Sequence, residues 1–140
     1  MKVESDPIGD EEFLLRRFPN LDLYYDPQAT PPVTALAFKP IKQDTDGISL
    51  YREIFVTIQD VAAGARTPNW CYIVRLRAKE IRTLGITIEP TPSADGLPGH
   101  CSIPELAVQH YEAGRAEKDK HKDIHLELAK LASKDIVYFP

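Results

Sequence analysis

The residues with chemistry to offer are concentrated in one short segment, Pro98-Gly99-His100-Cys101-Ser102. It is followed by Ile103-Pro104-Glu105, so that Ser102 and Glu105 have the spacing of a capping box with proline in the first turn. A helix starting at Ser102 leaves its first backbone N–H groups free and turns the positive end of its dipole outward. Gly99, His100 and Ser102 are therefore candidate anion-binding residues. The same field lowers a thiol pKa, which makes Cys101 a candidate reactive group. A structural account covers most of the segment too: Ser102 caps, Glu105 returns the bond and Cys101 packs on Leu106, leaving His100 over.

Arg52 is the second candidate. It shares the apolar parity of its strand with Leu50 and Ile54, so it either points inward, where it needs a partner or an anionic ligand, or follows a strand end into solvent. Arg75 and Arg77 share a face of a later strand with Cys71 and Ile73. A sheet face carrying Arg52 and looking at His100 would be an anion pocket. His121 and His125, four apart, can meet on one metal, but lysines surround them and no glutamate directly follows the first histidine. His110, Glu117 and His121 on one helix stripe form a better cluster, which a polar break in a protruding helix explains equally well. Asp44-Thr45-Asp46-Gly47 opens like a calcium loop but has its glycine at the fourth position and Phe55 where the bidentate glutamate belongs. No P-loop, dinucleotide fingerprint or nucleophile elbow is present. The sequence assigns no catalytic residue and calls for no metal and no cofactor.

The elements that must position these residues follow from pattern. Asp10–Phe18, acidic first and basic last with Phe13, Leu14 and Phe18 apolar, reads as a first helix. Residues 19–46 are proline-rich and form an extended arm whose Tyr24, Tyr25 and Phe38 imply packing. Gly47 is a turn, and Ile48–Val56 alternates as a strand. Thr57 with Asp60 starts a helix to about Ala65. Trp70–Arg77 is a strand, Ala78–Leu84 a helix closed by Gly85, and Ile86–Glu89 a strand ended by Pro90. From Ser102 a helix runs at least to Glu112, as one long helix to Ser133 or as two, before a last strand at Asp135–Phe139. The connecting helices are short for parallel crossovers. The expected fold is a single α+β domain over 1–140, with a small mixed or antiparallel sheet, helices mainly on one face and a long C-terminal helix.

Three pieces carry a resemblance: Asp44-Thr45-Asp46-Gly47-Ile48-Ser49-Leu50-Tyr51-Arg52, the run Val74–Gly85, and Pro98-Gly99-His100-Cys101-Ser102-Ile103-Pro104. Together they resemble a pattern in short bacterial proteins of unassigned function. Leu50-Tyr51-Arg52 is also similar to a strand that opens the cofactor cleft of ADP-ribosyltransferase-like domains, whose catalytic glutamate motif has no counterpart here.

A net charge of −4 argues against a general nucleic-acid or anionic-membrane surface. No apolar run approaches a membrane span, and Met1–Asp10 lacks the apolar core of a signal peptide. Two cysteines make no disulfide framework, so free thiols and a cytoplasmic location are expected. The oligomeric state is not legible. The function expected is a non-catalytic interaction module of accessory, immunity or antitoxin type that binds another protein. The competing expectation is a nucleotide- or phosphate-handling enzyme, with Arg52 gripping an anion beside His100.

Overall fold

A computed structural model describes the backbone of residues 2–92, 94–112 and 115–140, and the side chains of all these but 112 and 115–120. The strands are β1 (Phe13–Pro19), β2 (Ile48–Arg52), β3 (Cys71–Arg77), β4 (Glu89–Pro90), β5 (His100–Ile103) and β6 (Ile136–Tyr138). They make one six-stranded sheet in the order β4-β5-β2-β1-β3-β6, every neighbouring pair antiparallel. The helices are α1 (Ile58–Ala63), α2 (Ala78–Thr83), α3 (Gln109–Glu112) and α4 (Arg115–Ala132). The α+β class is as expected, with the sheet wholly antiparallel and the longest helix near the C-terminal end.

Alternation along the central strands divides the apolar residues between two faces. Leu14, Phe18, Leu50, Val74 and Leu76 face one way and share a buried cluster with Ile81 of α2, Leu128, Ala129 and Ala132 of α4, and Phe38. Leu15, Tyr51, Cys71 and Ile73 face the other way and meet Val61 and Ala62 of α1. The proline-rich arm is docked rather than loose: Val33, Ala37 and Phe38 are buried, and Ala35–Phe38 is a 3-10 turn under α4. Tyr25 closes an aromatic group with Tyr72 and Phe139.

Several expected elements stand as read. Thr57 caps α1 by accepting from the Asp60 N–H at 3.0 Å, and Gly85 at φ 84 stops α2. Others need correction. Asp10–Phe18 contains no helix; its apolar residues belong to β1, a central strand with cover on both faces, and such a strand shows a dense apolar run instead of clean alternation. The acids read as helix-dipole partners reach across the fold instead: Asp10 pairs with Arg82 at 2.7 Å, Glu11 with Arg77 at 3.6 Å and Glu12 with Arg52 at 2.7 Å. The helix at Ser102 is also absent. His100–Ile103 is β5, paired to β2 through Ser49↔Ser102 and Leu50↔Cys101, and a 3-10 turn, Pro104–Leu106, follows. Glu105 does not return to Ser102 but accepts from the Thr87 N–H and hydroxyl at 3.0 Å. The strand expected at Ile86–Glu89 shrinks to the pair Glu89–Pro90 at the sheet edge, a place that tolerates proline. Trp70 precedes β3 and stands 47% exposed, after Asn69 at φ 65.

Among the described glycines, Gly47 makes the tightest backbone approach. At φ 115, a Cβ there would lie 2.0 Å from the Ile103 carbonyl oxygen of β5, where no side chain can yield. At Gly85 the φ is also positive, yet the space is open. Gly47→Ala should therefore cost roughly 2 kcal/mol or more by strain and clash together, and Gly85→Ala about 1 kcal/mol by strain alone. Urea unfolding of the two variants checks the order.

Candidate functional site

The expected anion pocket shared by Arg52, Gly99, His100 and Ser102 does not form. Arg52 does point inward and is 0% exposed, but its guanidinium is already saturated. It donates through Nε and one terminal nitrogen to the two Glu12 carboxylate oxygens at 2.8 and 2.7 Å. Its other nitrogen donates to the carbonyls of Glu4 and Asp6 at 2.9 and 2.7 Å, and the Phe55 ring lies 5.0 Å away. Burial pushes the Glu12 carboxyl up, yet Arg52 and the Gly9 N–H outweigh it and hold it below its usual range.

His100 lies on the opposite face of the sheet from Arg52, since it pairs with Tyr51, the preceding residue, and packs edge-on against its ring at 5.5 Å. Its Nε2 is 3.0 Å from Ser49 Oγ and its Nδ1 2.7 Å from Thr91 Oγ1, which also meets Ser102 Oγ at 3.0 Å. A serine beside a histidine is the start of a nucleophile–base pair, but the third partner here is a hydroxyl rather than a carboxylate. The ring is 5% exposed and joins β2, β5 and the 91 turn. Gly99 sits at φ 80, and a Cβ there would press at 3.0 Å on the Arg52 carbonyl. Burial, against a weaker pull from Arg52, pushes the Cys101 thiol up to about 12, and burial likewise raises Cys71, so neither is the reactive thiolate a helix start would have made.

The histidines near the C-terminal end do gather. His110 and His121 have ring centres 6.3 Å apart, and Tyr111 stacks on His125 while its hydroxyl bonds to His125 Nε2. The Glu117 side chain of the expected metal cluster lies outside the described residues. Among the described residues no group of three or more metal-ligating side chains forms.

A site that sequence reasoning missed opens elsewhere. β1 pairs with β3 along its whole length to Pro19↔Cys71, but with β2 only at Leu14↔Arg52 and Leu15↔Tyr51. Beyond Leu15 the strands fork, and a cleft of about 460 Å³ lies along Arg16, Arg17, Phe18 and Pro19. Arg16 spans the fork, donating to the Ala37 carbonyl at 2.9 Å and the Ser49 carbonyl at 3.0 Å. Burial lowers its pKa, and Asp44 opposes that. Arg17, of opposite parity, donates to the Val61 carbonyl at 2.7 Å and lies 5.6 Å from the Tyr51 ring. Among the described residues, neither arginine is within ion-pair distance of a carboxylate. Lys39 and Arg66 add two exposed cations to the lining, against the single acid Asp44. Leu21, Leu36, Ile41 and Trp70, all large and exposed, form its apolar rim. Adjacent arginines at the end of an apolar run are the signal that pointed here, had the run been read as a strand.

Comparison of the chain with protein-family models, with curated proteins and with solved structures gives no match. Among the described residues no helix is long and apolar enough to cross a membrane.

Two outcomes follow from these clusters. Arg52→Met leaves Glu12 buried without its cation, so it should lose roughly 3–5 kcal/mol in urea unfolding and free residues 2–9 to proteolysis. Arg52→Met with Glu12→Leu together should lose less than the sum of the two single changes. For His125, burial, followed by His121 and Lys39, pulls the folded pKa down to about 4. The unfolded chain takes up that proton below about 6.5 and the folded chain does not, so stability is fully present above 6.5 and falls as pH drops towards 4. Urea midpoints at pH 7 and pH 5 should show a loss of roughly 2 kcal/mol, most of it abolished in His125→Asn.

Proposed function

We propose that this protein is a non-catalytic interaction module, of the small accessory or antitoxin type, that holds an acidic, partly apolar segment of another protein in the cleft beside β1. The observation that carries this reading is the coincidence of two features in one cavity. Four large apolar side chains stand in water around it, and four cations face it with one acid among them. Exposed apolar groups beside cations are the make-up of a binding surface whose partner supplies both apolar contact and negative charge. Aromatic and arginine residues also lead among interface hot spots, and Trp70, Arg16, Arg17 and Arg66 are such residues.

The same cavity offers little to catalysis. Its thiol, Cys71, is buried with its pKa raised, and its arginines are held by backbone carbonyls without a histidine beside them. A nucleotide or phosphate enzyme built on Arg52 and His100 loses its support, because those residues occupy opposite faces and Arg52 is saturated.

Trp70 is the one tryptophan of the chain, so its fluorescence reports on the rim directly. A blocked peptide Leu-Glu-Glu-Val-Glu-Glu-Leu, titrated at low salt, should shift Trp70 emission saturably. Arg66→Glu or Lys39→Glu should weaken binding at least tenfold, and raised salt should weaken it further. A saturable response to inorganic phosphate or ATP with none to the peptide would overturn this reading in favour of a small-anion site.

A further inference from the structure

We infer that the occupant of this cleft enters as an extended strand that hydrogen-bonds to the open edge of β1 at Arg17, its carboxylates meeting arginines on both faces of the sheet. This rests on the protein-binding reading above and specifies how the partner is held and what its sequence must carry.

The edge is the first argument. Strand backbone groups point alternately to the two neighbours. The Phe13 carbonyl accepts from the Glu53 N–H at 3.1 Å, so the odd residues of β1 address the β2 side. Leu15 meets Tyr51 there, but the next odd residue, Arg17, has no partner in β2 because pairing has ended. On its other side β1 stays paired with β3 from Phe13 to Pro19, which keeps the strand straight and extended beside the gap. Four consecutive residues, Arg16 to Pro19, line the cleft, as happens when the edge of a strand faces it. An open edge flanked by apolar groups is the template for strand addition, in which backbone bonds supply affinity and side-chain contacts supply selection.

Charge is the second argument, and it selects the occupant. Arg16 and Arg17 are adjacent, so their side chains leave β1 on opposite faces. A strand laid beside them also sends successive side chains to opposite faces. Consecutive acids on the occupant then meet both arginines, with Lys39 and Arg66 further out and Asp44 opposing. The Ala37 and Ser49 carbonyls orient Arg16, and the Val61 carbonyl and the Tyr51 hydroxyl orient Arg17; that hydroxyl bonds in turn to Asp95, a second acid that opposes an anionic occupant on the Arg17 side. Apolar residues flanking the acids then meet the exposed rim of Leu21, Leu36, Ile41 and Trp70. The partner segment is therefore apolar–acidic–acidic–apolar in an extended conformation, a pattern different from the helical spacing of an amphipathic ligand.

N-methylation of the peptide backbone tests this, since it removes one N–H while leaving side-chain chemistry in place. The parent peptide Leu-Glu-Glu-Val-Glu-Glu-Leu and its single N-methyl variants are titrated against the whole protein by Trp70 fluorescence. N-methylation at the residue opposite Arg17 should weaken binding at least tenfold, while its immediate neighbours, whose N–H groups face away, stay within about threefold of the parent. Uniformly tight binding of all N-methyl variants, still weakened by Arg66→Glu, would overturn strand addition and leave the protein-binding reading standing. No response to the parent peptide would overturn both.

Discussion

Arg52 ends β2 fully buried, and much of the rest of the fold is arranged so that its charge can stay there. A guanidinium with no exposed surface is tolerable where a carboxylate and several carbonyls surround it, and Glu12, Glu4 and Asp6 provide them. Each provider constrains a different part of the chain. Glu12 sits one residue before β1, so the ion pair sets where β1 begins against β2, consistent with Leu14↔Arg52 as the first paired position. The carbonyls belong to residues 4–6, so the chain before β1 must wrap over the sheet end, where Arg82 holds it again through the Ile8 carbonyl at 2.6 Å. Gly99 approaches the Arg52 backbone closely and accepts from its N–H at 2.8 Å, which fixes the entry into β5. One buried cation thus ties together the start of β1, the end of β2 and the start of β5.

That tie acts at one end of the β1–β2 pair, and the other end is free to part. With Leu14 and Leu15 held opposite Arg52 and Tyr51, β1 continues along β3 while β2 turns towards β5. A gap between strands in a sheet centre exposes backbone groups that cannot be left dry and unpaired. Arg16 fills part of it by bridging the Ser49 and Ala37 carbonyls, binding the arm to β2 through a side chain where a ladder bond would have stood. The cleft and its cations are therefore a consequence of the sheet geometry and not an addition to it.

How much of this the sequence disclosed depends on what kind of contact decided each element. Local signals held: Thr57 with Asp60 for α1, Gly85 for the end of α2, alternation from Ile48 for β2 and Ile136–Tyr138 for the last strand. The failures came where a local pattern had a long-range competitor. Ser102 and Glu105 satisfy a capping box on paper, but pairing of His100–Ile103 with β2 uses those backbone groups, and Glu105 finds Thr87. Asp10–Glu12 ahead of Arg16–Arg17 matches a helix dipole, yet each acid has a cation distant in sequence, at Arg82, Arg77 and Arg52. β1 is covered on both faces, so the alternation that marks a half-exposed strand was missing. The cleft was hidden for the same reason. Its defining feature is where two strands stop pairing, and no residue type announces that. Arg52 was legible as a conflict of parity with charge, but the carboxylate resolving it lay 40 residues away.

The placement of cations on an acidic chain sharpens the reading of the cleft. With a net charge of −4, the chain as a whole weakly repels anionic partners at long range, and a cationic groove acts against that background within about a Debye length. Under the proposed function such an arrangement favours a short acidic segment over an extended polyanion, because a nucleic acid would bring its phosphates against the acidic remainder while a peptide need reach no further than the groove. The two arginines at its floor are already oriented by carbonyl oxygens, so less side-chain freedom is lost when a carboxylate arrives than for free cations at the surface. On the proposed reading, selection by this cleft depends less on total charge than on whether two adjacent carboxylates can reach opposite faces of β1, which an extended backbone does and a helix does not.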